Sequence, residues 1–388
     1  MLQTLVIQNY RSVLHLKLRL GRLNVITGPN GSGKSNLYRA LRLLADTAQG
    51  GVVNSLAREG GLESGFWAGP EKISAAMLRG EVPVQGGPKQ HRTRLRLGFG
   101  AEDFGYAVSF GLPTPSTSAF SLDPEIKREV IWAGPSYRPS SALLDRNGTV
   151  VKSRNGRSWE VISQHVNRFD SIFSRIADAR AAPEALELRD RIQGWRFYDQ
   201  FRTDAHAPTR QSQLGTRTPV LHHDGRDLAA AIQTIREIGD GYALDETIDD
   251  AFPGSRAEIN RHEDGRFSLG LRSQGLLRPL AASELSDGTL RYLCLVAALL
   301  TPRPPSLMVL NEPETSLHPD LLPALARLIR RASETSQLWV VTHTNRLVSA
   351  LNQHEECVGI QLEKNLGRTE IVGQGLLDEP PWKWPDLK

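Results

Sequence analysis

Cysteine is nearly absent. Only Cys294 and Cys357 occur in 388 residues, too few for a disulfide framework or a four-thiolate metal site. Long apolar runs are missing as well. The longest strongly apolar stretch, Tyr292 to Leu300, is far shorter than the about 20 residues needed to cross a bilayer. The first residues, MLQTLVIQNYRSVLHLKLRL, alternate apolar and polar side chains and lack a small-residue cleavage site, so they predict a mature strand rather than a signal peptide. These absences predict a soluble, cytoplasmic protein with no membrane partner. An excess of one charge is also lacking. Lys+Arg total 47 against Asp+Glu 43, a formal +4, which does not mark a nucleic-acid binder. Only nine of the basic residues are Lys. Arg suits phosphate contact, but here it is spread along the whole chain, as a GC-rich genome also produces. No repeat of solenoid period is present. What remains is a chain that is 39% hydrophobic, enough for a real core, with a length of two to three domain equivalents.

Periodicity predicts a β-rich start. Leu2 to Ile7 forms one strand. Leu14, Leu16, Leu18 and Leu20 alternate with polar residues in a second, half-buried one. Leu23 to Thr27 is short and apolar, like a strand buried on both faces. A Gly-rich loop follows, then a helix from about Ser35 with Leu37, Leu41 and Leu44 at helical spacing. Residues 50–87 are Gly-rich and weakly periodic. Arg92 to Phe99 and Tyr106 to Gly111 predict strands, and Pro113 to Pro124 a loop. Between Trp132 and Trp159, Asn147-Gly148 and Asn155-Gly156 signal hairpin turns. Helical periodicity is expected from Val161 to about Ile192, with a start at Pro183-Glu184, and again over Leu228 to Ile238. Arg202 to Thr218 reads as an exposed polar loop. The last third alternates helix and strand: Thr289 to Leu300, Leu307 to Leu310, Pro319 to Ala332, Leu338 to Thr342, then a short helix and two strands. That alternation predicts a mainly parallel sheet.

Four motifs carry chemistry. Gly28 to Ser35, GPNGSGKS, fits G-x-x-x-x-G-K-[ST] between a predicted strand and a predicted helix. Gly28, Gly31 and Gly33 let the backbone curl so that amides face phosphate oxygens, and the helix N-terminus adds partial positive charge. Lys34 is placed to reach the β- and γ-phosphates, and the Ser35 hydroxyl to ligate Mg²⁺. The second motif, Leu307 to Pro319, is an apolar strand ending in a polar cluster, where ligands sit in parallel sheets. Glu312 is its candidate general base. The third, Leu285 to Thr289, opens a helix with cap-type Ser286 and Asp287 and with Gly288, which permits close approach. The fourth ends an apolar strand at His343. Taken singly, the last three are ordinary strand ends and caps.

Together, in this order, the four motifs resemble the ATPase head of the ABC superfamily. The branch is that of RecF, the structural-maintenance-of-chromosomes proteins and the overcoming-lysogenisation-defect nucleases. Within it the chain is most similar to small stand-alone bacterial ATPases. Local echoes are NYRS (Asn9 to Ser12), WRFYDQFR (Trp195 to Arg202), HDGRDLAAAI (His223 to Ile232) and EPETSLHP (Glu312 to Pro319). The resemblance is sharp over residues 1–45 and 280–350 and looser between. It implies an α/β P-loop NTPase with a mixed β lobe, a helical lobe and an inserted middle region. The expected segments are a nucleotide-binding lobe over 1–160, a mostly helical middle over 161–280, and a C-terminal lobe over 281–388.

The resemblance also implies roles. Gly28, Pro29, Asn30, Gly31, Ser32, Gly33, Lys34, Ser35 and Asn36 would form the Walker A site for ATP, with Arg11 as a further nucleotide contact. Ser35 and Asn311 would hold Mg²⁺. Glu312, His343 and Lys34 would be catalytic. Ser286 and Gly288 would belong to the signature motif, which meets the γ-phosphate held by a second copy, and Ser316 to His318 would be the D-loop. ATP would then join two heads into a homodimer and hydrolysis would release them. Two departures stand out. Asn311 replaces the family's Asp; it still accepts a hydrogen bond but brings no charge, so slower turnover is expected. The Q-loop glutamine has no clear position, with Gln85 and Gln90 as candidates.

Other clusters have plainer readings. His222-His223-Asp224 is expected to be a surface turn rather than a metal site. Arg92, Arg94 and Arg96 are expected on a solvated strand face. Trp195, Phe197 and Tyr198 are expected in the core. There is no long heptad run for a chromosome-tethering arm, and no room after the head for a nuclease domain is expected. Three readings follow: an ATPase driving a separately encoded nuclease or toxin effector, as in phage defence; a RecF-like ATPase acting on DNA; and an ATP-dependent module that does not hydrolyse.

Overall fold

Glycine-rich turns and period-two apolar patterning build one half of the molecule, and alternating helices and strands build the other. The computed structural model describes residues 1–70, 74–83, 93–114, 119–120, 122–175, 180–353, 356–375 and 377–385. It separates into two units: one of Met1–Gly21, Thr27–Trp195 and Ile360–Lys388, the other of Arg22–Ile26 and Arg196–Gly359. The expected three consecutive segments are therefore not how the residues group. Both units are discontinuous in sequence.

The first unit carries an eight-stranded antiparallel sheet. Its order is Val13–Arg19, Leu2–Tyr10, Leu95–Ala101, Phe104–Gly111, Glu125–Ala133, Ala142–Asn147, Val150–Asn155 and Ser158–Ser163. Both Asn-Gly signals are at hairpin connections, with Gly148 and Gly156 at φ +60°, a conformation a Cβ penalises. The first strand runs three residues past Ile7, to Tyr10. Helix Lys34–Ala48 buries Leu37, Leu41 and Leu44. Trp132, from the sheet, packs edge-on against Tyr137 and Trp382. Adjacent strands of the sheet carry a fully buried ion pair: Arg146 donates to Glu129 at 2.7 Å, with both side chains at 0% exposure. Tyr106, Ser171 and the Ile172 amide also donate to Glu129.

Four parallel strands organise the second unit, in the order Arg196–Tyr198, Leu307–Asn311, Gln337–Val341 and Leu23–Thr27. Its core includes the helices Asp287–Leu299, Leu322–Ser333 and Leu228–Ile238. The last of these has the predicted bounds. A small antiparallel sheet of Gln213–Leu214, Arg266–Ser273, Ser255–Arg261 and Leu280–Ala281 completes the unit.

Some expectations are corrected. Helical periodicity from Val161 gave way to strand pairing: the edge strand continues to Ser163, and only Ile172–Arg175 and Pro183–Gln193 are helical among the described residues of that segment. The middle is not mostly helical, because Ser255–Arg261 and Arg266–Ser273 pair as a hairpin. Arg94 and Arg96 are half-buried rather than on a solvated face; Arg96 stacks over Trp384, so its charge is spent on an indole. Arg92 lies outside the described residues, as do Gln85 and Gln90. Trp195 and Tyr198 are buried as expected, whereas Phe197 is half-buried.

Candidate functional site

The Gly28–Ser35 loop leaves the C-terminal end of the parallel strand Leu23–Thr27 and enters helix Lys34–Ala48. Its three glycines act in three ways. Gly28 has φ +145°, and a Cβ there would meet the Leu362 carbonyl oxygen at 2.3 Å. Gly33 has φ +109°, and a Cβ would strike Thr369 Oγ1 at 2.1 Å. Gly31, at φ +80°, has open space around it and needs only the left-handed backbone. The helix begins without a side-chain cap and without an acidic residue in its first turn, so no protein carboxylate offsets its positive dipole end. Lys34 Nζ folds back on the loop, donating to the Gly28 carbonyl at 2.5 Å and the Pro29 carbonyl at 3.2 Å. Ser32 is 1% exposed, and its Oγ has no hydrogen-bond partner. A buried hydroxyl without a partner is costly. One that lies in an anion-seeking cradle fits a triphosphate. Ser35, beside it, is exposed.

Two predicted contacts are engaged within the protein. Arg11, with φ +50°, donates to Glu59 Oε2 at 3.1 Å, the carboxylate oxygen that also accepts from Tyr10. Asn36 Nδ2 donates to Ser12 Oγ at 2.8 Å, and Ser12 in turn meets Thr369 Oγ1 at 2.7 Å. These bonds tie the first hairpin and the Arg368–Ile371 strand to the start of the P-loop helix.

In the second unit, the ends of two parallel strands converge. Asn311 closes Leu307–Asn311 and registers with Val341. The next residue, Glu312, has φ +48°, an unfavourable backbone for a side chain with a Cβ. Its N–H donates to the Val341 carbonyl at 2.8 Å, and its own carbonyl accepts from Arg291 Nη2 at 3.1 Å. Arg291 is buried, at 4% exposure. The backbone of Glu312 is thus held from the neighbouring strand and from helix Asp287–Leu299. His343 Nδ1 lies 3.5 Å from Glu312 Oε1 and 3.7 Å from Glu314 Oε1. The predicted base and the predicted switch histidine are neighbours.

Glu314 was not singled out from the sequence. It is 7% exposed. Its Oε1 accepts from the Thr342 and Thr344 hydroxyls, and its Oε2 is buried with no partner. The signal was the second acid of Asn311-Glu-Pro-Glu314. Alternation past a strand end does not say which of two acids turns inward.

Ser286 caps helix Asp287–Leu299, accepting from the Thr289 amide at 3.1 Å. Gly288 lies so close to the following loop that a Cβ would meet the Ser316 carbonyl oxygen at 2.7 Å. Ser286, Gly288 and Thr289 therefore share one open groove with Ser316, Leu317 and His318. Residues predicted as signature motif and as D-loop, separate in sequence, are brought together. His222-His223-Asp224 lies in a turn, as expected, and its three side chains place possible metal-ligand atoms within 4.8 Å of one another. His222 Nδ1 pairs with Asp224 at 2.7 Å and its Nε2 accepts from Arg226 at 2.8 Å, so both ring nitrogens are engaged.

The motif order and this geometry agree with what the chain resembles in known proteins. Residues 23–349 match the family described as "AAA domain, putative AbiEii toxin, Type IV TA system". The chain belongs to that family. A 45-residue stretch is 51% identical to the DNA replication and repair protein RecF of Magnetococcus marinus, covering 11% of this chain and 12% of that protein. Among solved structures, a structural-maintenance-of-chromosomes head, crystallised with the C-terminal winged-helix domain of ScpA, matches with TM-score 0.51 and 13% identity, covering 97% of this chain and 98% of that one. The head from Pyrococcus furiosus, crystallised with the C-terminal domain of ScpA, matches with TM-score 0.50 and 12% identity over 96% and 95% of the two chains. The fold is that of an ABC-type ATPase head of the RecF and chromosome-maintenance branch.

Proposed function

We propose that this family member binds and hydrolyses ATP between two copies of itself, and that the clamp so formed drives a separately encoded nuclease or toxin effector. The observation that carries the reading is the shared groove of Ser286, Gly288 and Thr289 with Ser316 to His318. A signature segment exposed beside a D-loop segment has a surface to offer another head. The family description, which names a putative toxin and a Type IV TA system, supports a toxin-linked role.

In this reading Gly28 to Ser35 grips the triphosphate, and Lys34 leaves the Gly28 and Pro29 carbonyls to reach the phosphates. The Ser32 hydroxyl gains the partner it lacks. Ser35 and Asn311 would hold Mg²⁺, which would offset phosphate charge. Glu312 orients the attacking water, and His343, with Nδ1 3.5 Å from Glu312 Oε1, meets the γ-phosphate. Chemistry is positioning and electrostatics. The γ-phosphate decides between joined and separate heads. Ser286 and Gly288 of each copy complete the site of the other.

The test couples turnover with mass. Purified protein is incubated with ATP and Mg²⁺, and phosphate release and molar mass are followed for wild type, Glu312→Gln and Asn311→Asp. Wild type should release phosphate slowly and form dimers transiently. Glu312→Gln should cut turnover by about 100-fold or more, the scale at which removal of an acid–base group acts, and accumulate the dimer. Asn311→Asp should raise turnover by strengthening Mg²⁺ binding. Undiminished turnover in Glu312→Gln would remove Glu312 as the base. Absence of any nucleotide-dependent dimer would remove the clamp.

A further inference from the structure

The signature helix begins with an acid, and an arginine from a distant loop covers it. Arg210 comes from the polar segment Arg202–Thr218, which the sequence alone marked as an exposed loop. Its side chain is only 9% exposed. Nη1 donates to the Leu285 carbonyl at 2.7 Å and the Ala282 carbonyl at 2.9 Å. Nη2 donates to Asp287 Oδ1 at 2.6 Å, and Nε to the Thr203 carbonyl at 2.8 Å. One planar guanidinium therefore fastens the whole turn from Ala282 to Asp287 to its own loop, using the fork geometry that lysine lacks. The loop is itself anchored: Thr209 Oγ1 donates to the Arg202 carbonyl, and Gln213 reaches the Pro208 carbonyl and the Ala229 amide.

The placement matters because Asp287 lies between Ser286 and Gly288. A carboxylate near the N-terminus suits the helix dipole, but beside an incoming phosphate it repels. Asp287 is 60% exposed while Arg210 is 9% exposed, so the acid is open to solvent between two groove-lining residues, with its countercharge buried behind it. We infer that Arg210 is a positioning residue for the signature motif: it fixes the turn and masks the Asp287 charge, so that the helix N-terminus can accept a γ-phosphate carried by a second copy. This inference rests on the two-head reading above.

Variants of the full-length chain test it, with dimerisation in ATP and Mg²⁺ measured on the Glu312→Gln background. Arg210→Met should weaken the dimer at least tenfold. Its affinity for a fluorescent ATP analogue as a monomer should change less than twofold, because its own P-loop is intact. Adding Asp287→Asn to Arg210→Met should recover at least threefold, since the unmasked charge is gone. Mixing Arg210→Met with Lys34→Ala heads should restore mixed dimers, because one composite site then has a sound P-loop and a sound signature. A general folding defect would not be rescued by mixing. If Arg210→Met does not fold, Asp287→Asn alone decides: a dimer as tight as wild type or tighter supports masking, and a tenfold loss overturns it. If the Glu312→Gln parent forms no nucleotide-dependent dimer, the two-head reading fails first. If the parent dimerises and Arg210→Met does so within threefold, the assignment to Arg210 alone is overturned.

Discussion

Ser32 shows how one buried side chain can separate a binding role from a structural one. Its hydroxyl is buried and unpartnered in the P-loop, and such a group costs roughly 1–3 kcal/mol. Ser32→Ala should therefore leave the nucleotide-free protein at least as stable as wild type. It should also weaken ATP binding by about tenfold, the loss of one hydrogen bond to a charged group. Melting temperature without nucleotide and ATP affinity by calorimetry read the two effects separately. A variant less stable without nucleotide, with unaltered affinity, would show that the hydroxyl supports the loop rather than the ligand. The opposite signs separate a binding residue from a structural one, which a simple loss of activity does not do.

At the scale of elements, the buried Glu129–Arg146 pair makes a specific demand on the eight-stranded sheet. The carboxylate accepts from Arg146, Tyr106, Ser171 and the Ile172 amide. Arg146 also donates to the carbonyls of Gly148 and Asn167. The network joins three strands to the segment leading into helix Ile172–Arg175. Breaking a buried pair by removing one partner leaves an uncompensated charge and costs about 3–5 kcal/mol. Glu129→Ala should therefore lower stability by that amount in chemical denaturation, and Glu129→Gln by less. A loss under about 1 kcal/mol for Glu129→Ala, the scale of a surface pair, would show that the site hydrates or relaxes. None of this was legible in the sequence, where Glu129 and Arg146 look like ordinary polar strand positions. Local features were legible. The strand Leu23–Thr27, the helix Leu228–Ile238 and the two Asn-Gly hairpins have short-range causes, namely periodicity and turn chemistry. The loop Gly28 to Ser35 carried its own glycine pattern. Glu314, Arg291 and Arg210 did not show, because their roles come from contacts between elements far apart in the chain. The helical expectation from Val161 failed for the same reason: pairing with Val150–Asn155 outweighed local pattern.

The whole molecule bears on the choice between an effector and DNA as the object of the clamp. A phosphate track needs positive charge that is free and gathered. Here the net charge is a modest +4, and many guanidiniums are already committed to local acids. Arg327 pairs with Asp250, Arg331 with Asp240 and Glu246, Arg236 with Asp245, Arg272 with Glu258 and Arg191 with Asp103. Each such pair is worth little to stability, but its field largely cancels at a distance beyond the Debye length of about 8 Å at physiological salt. Duplex DNA should accordingly change ATP turnover less than twofold at about 150 mM salt, and any binding seen near 50 mM should fade steeply as salt rises. Phosphate release measured with and without DNA across that range checks the point. A stimulation of tenfold or more that survives the higher salt would require a concentrated basic face. It would move the assignment from a clamp that drives a protein effector to a RecF-like clamp that closes on DNA.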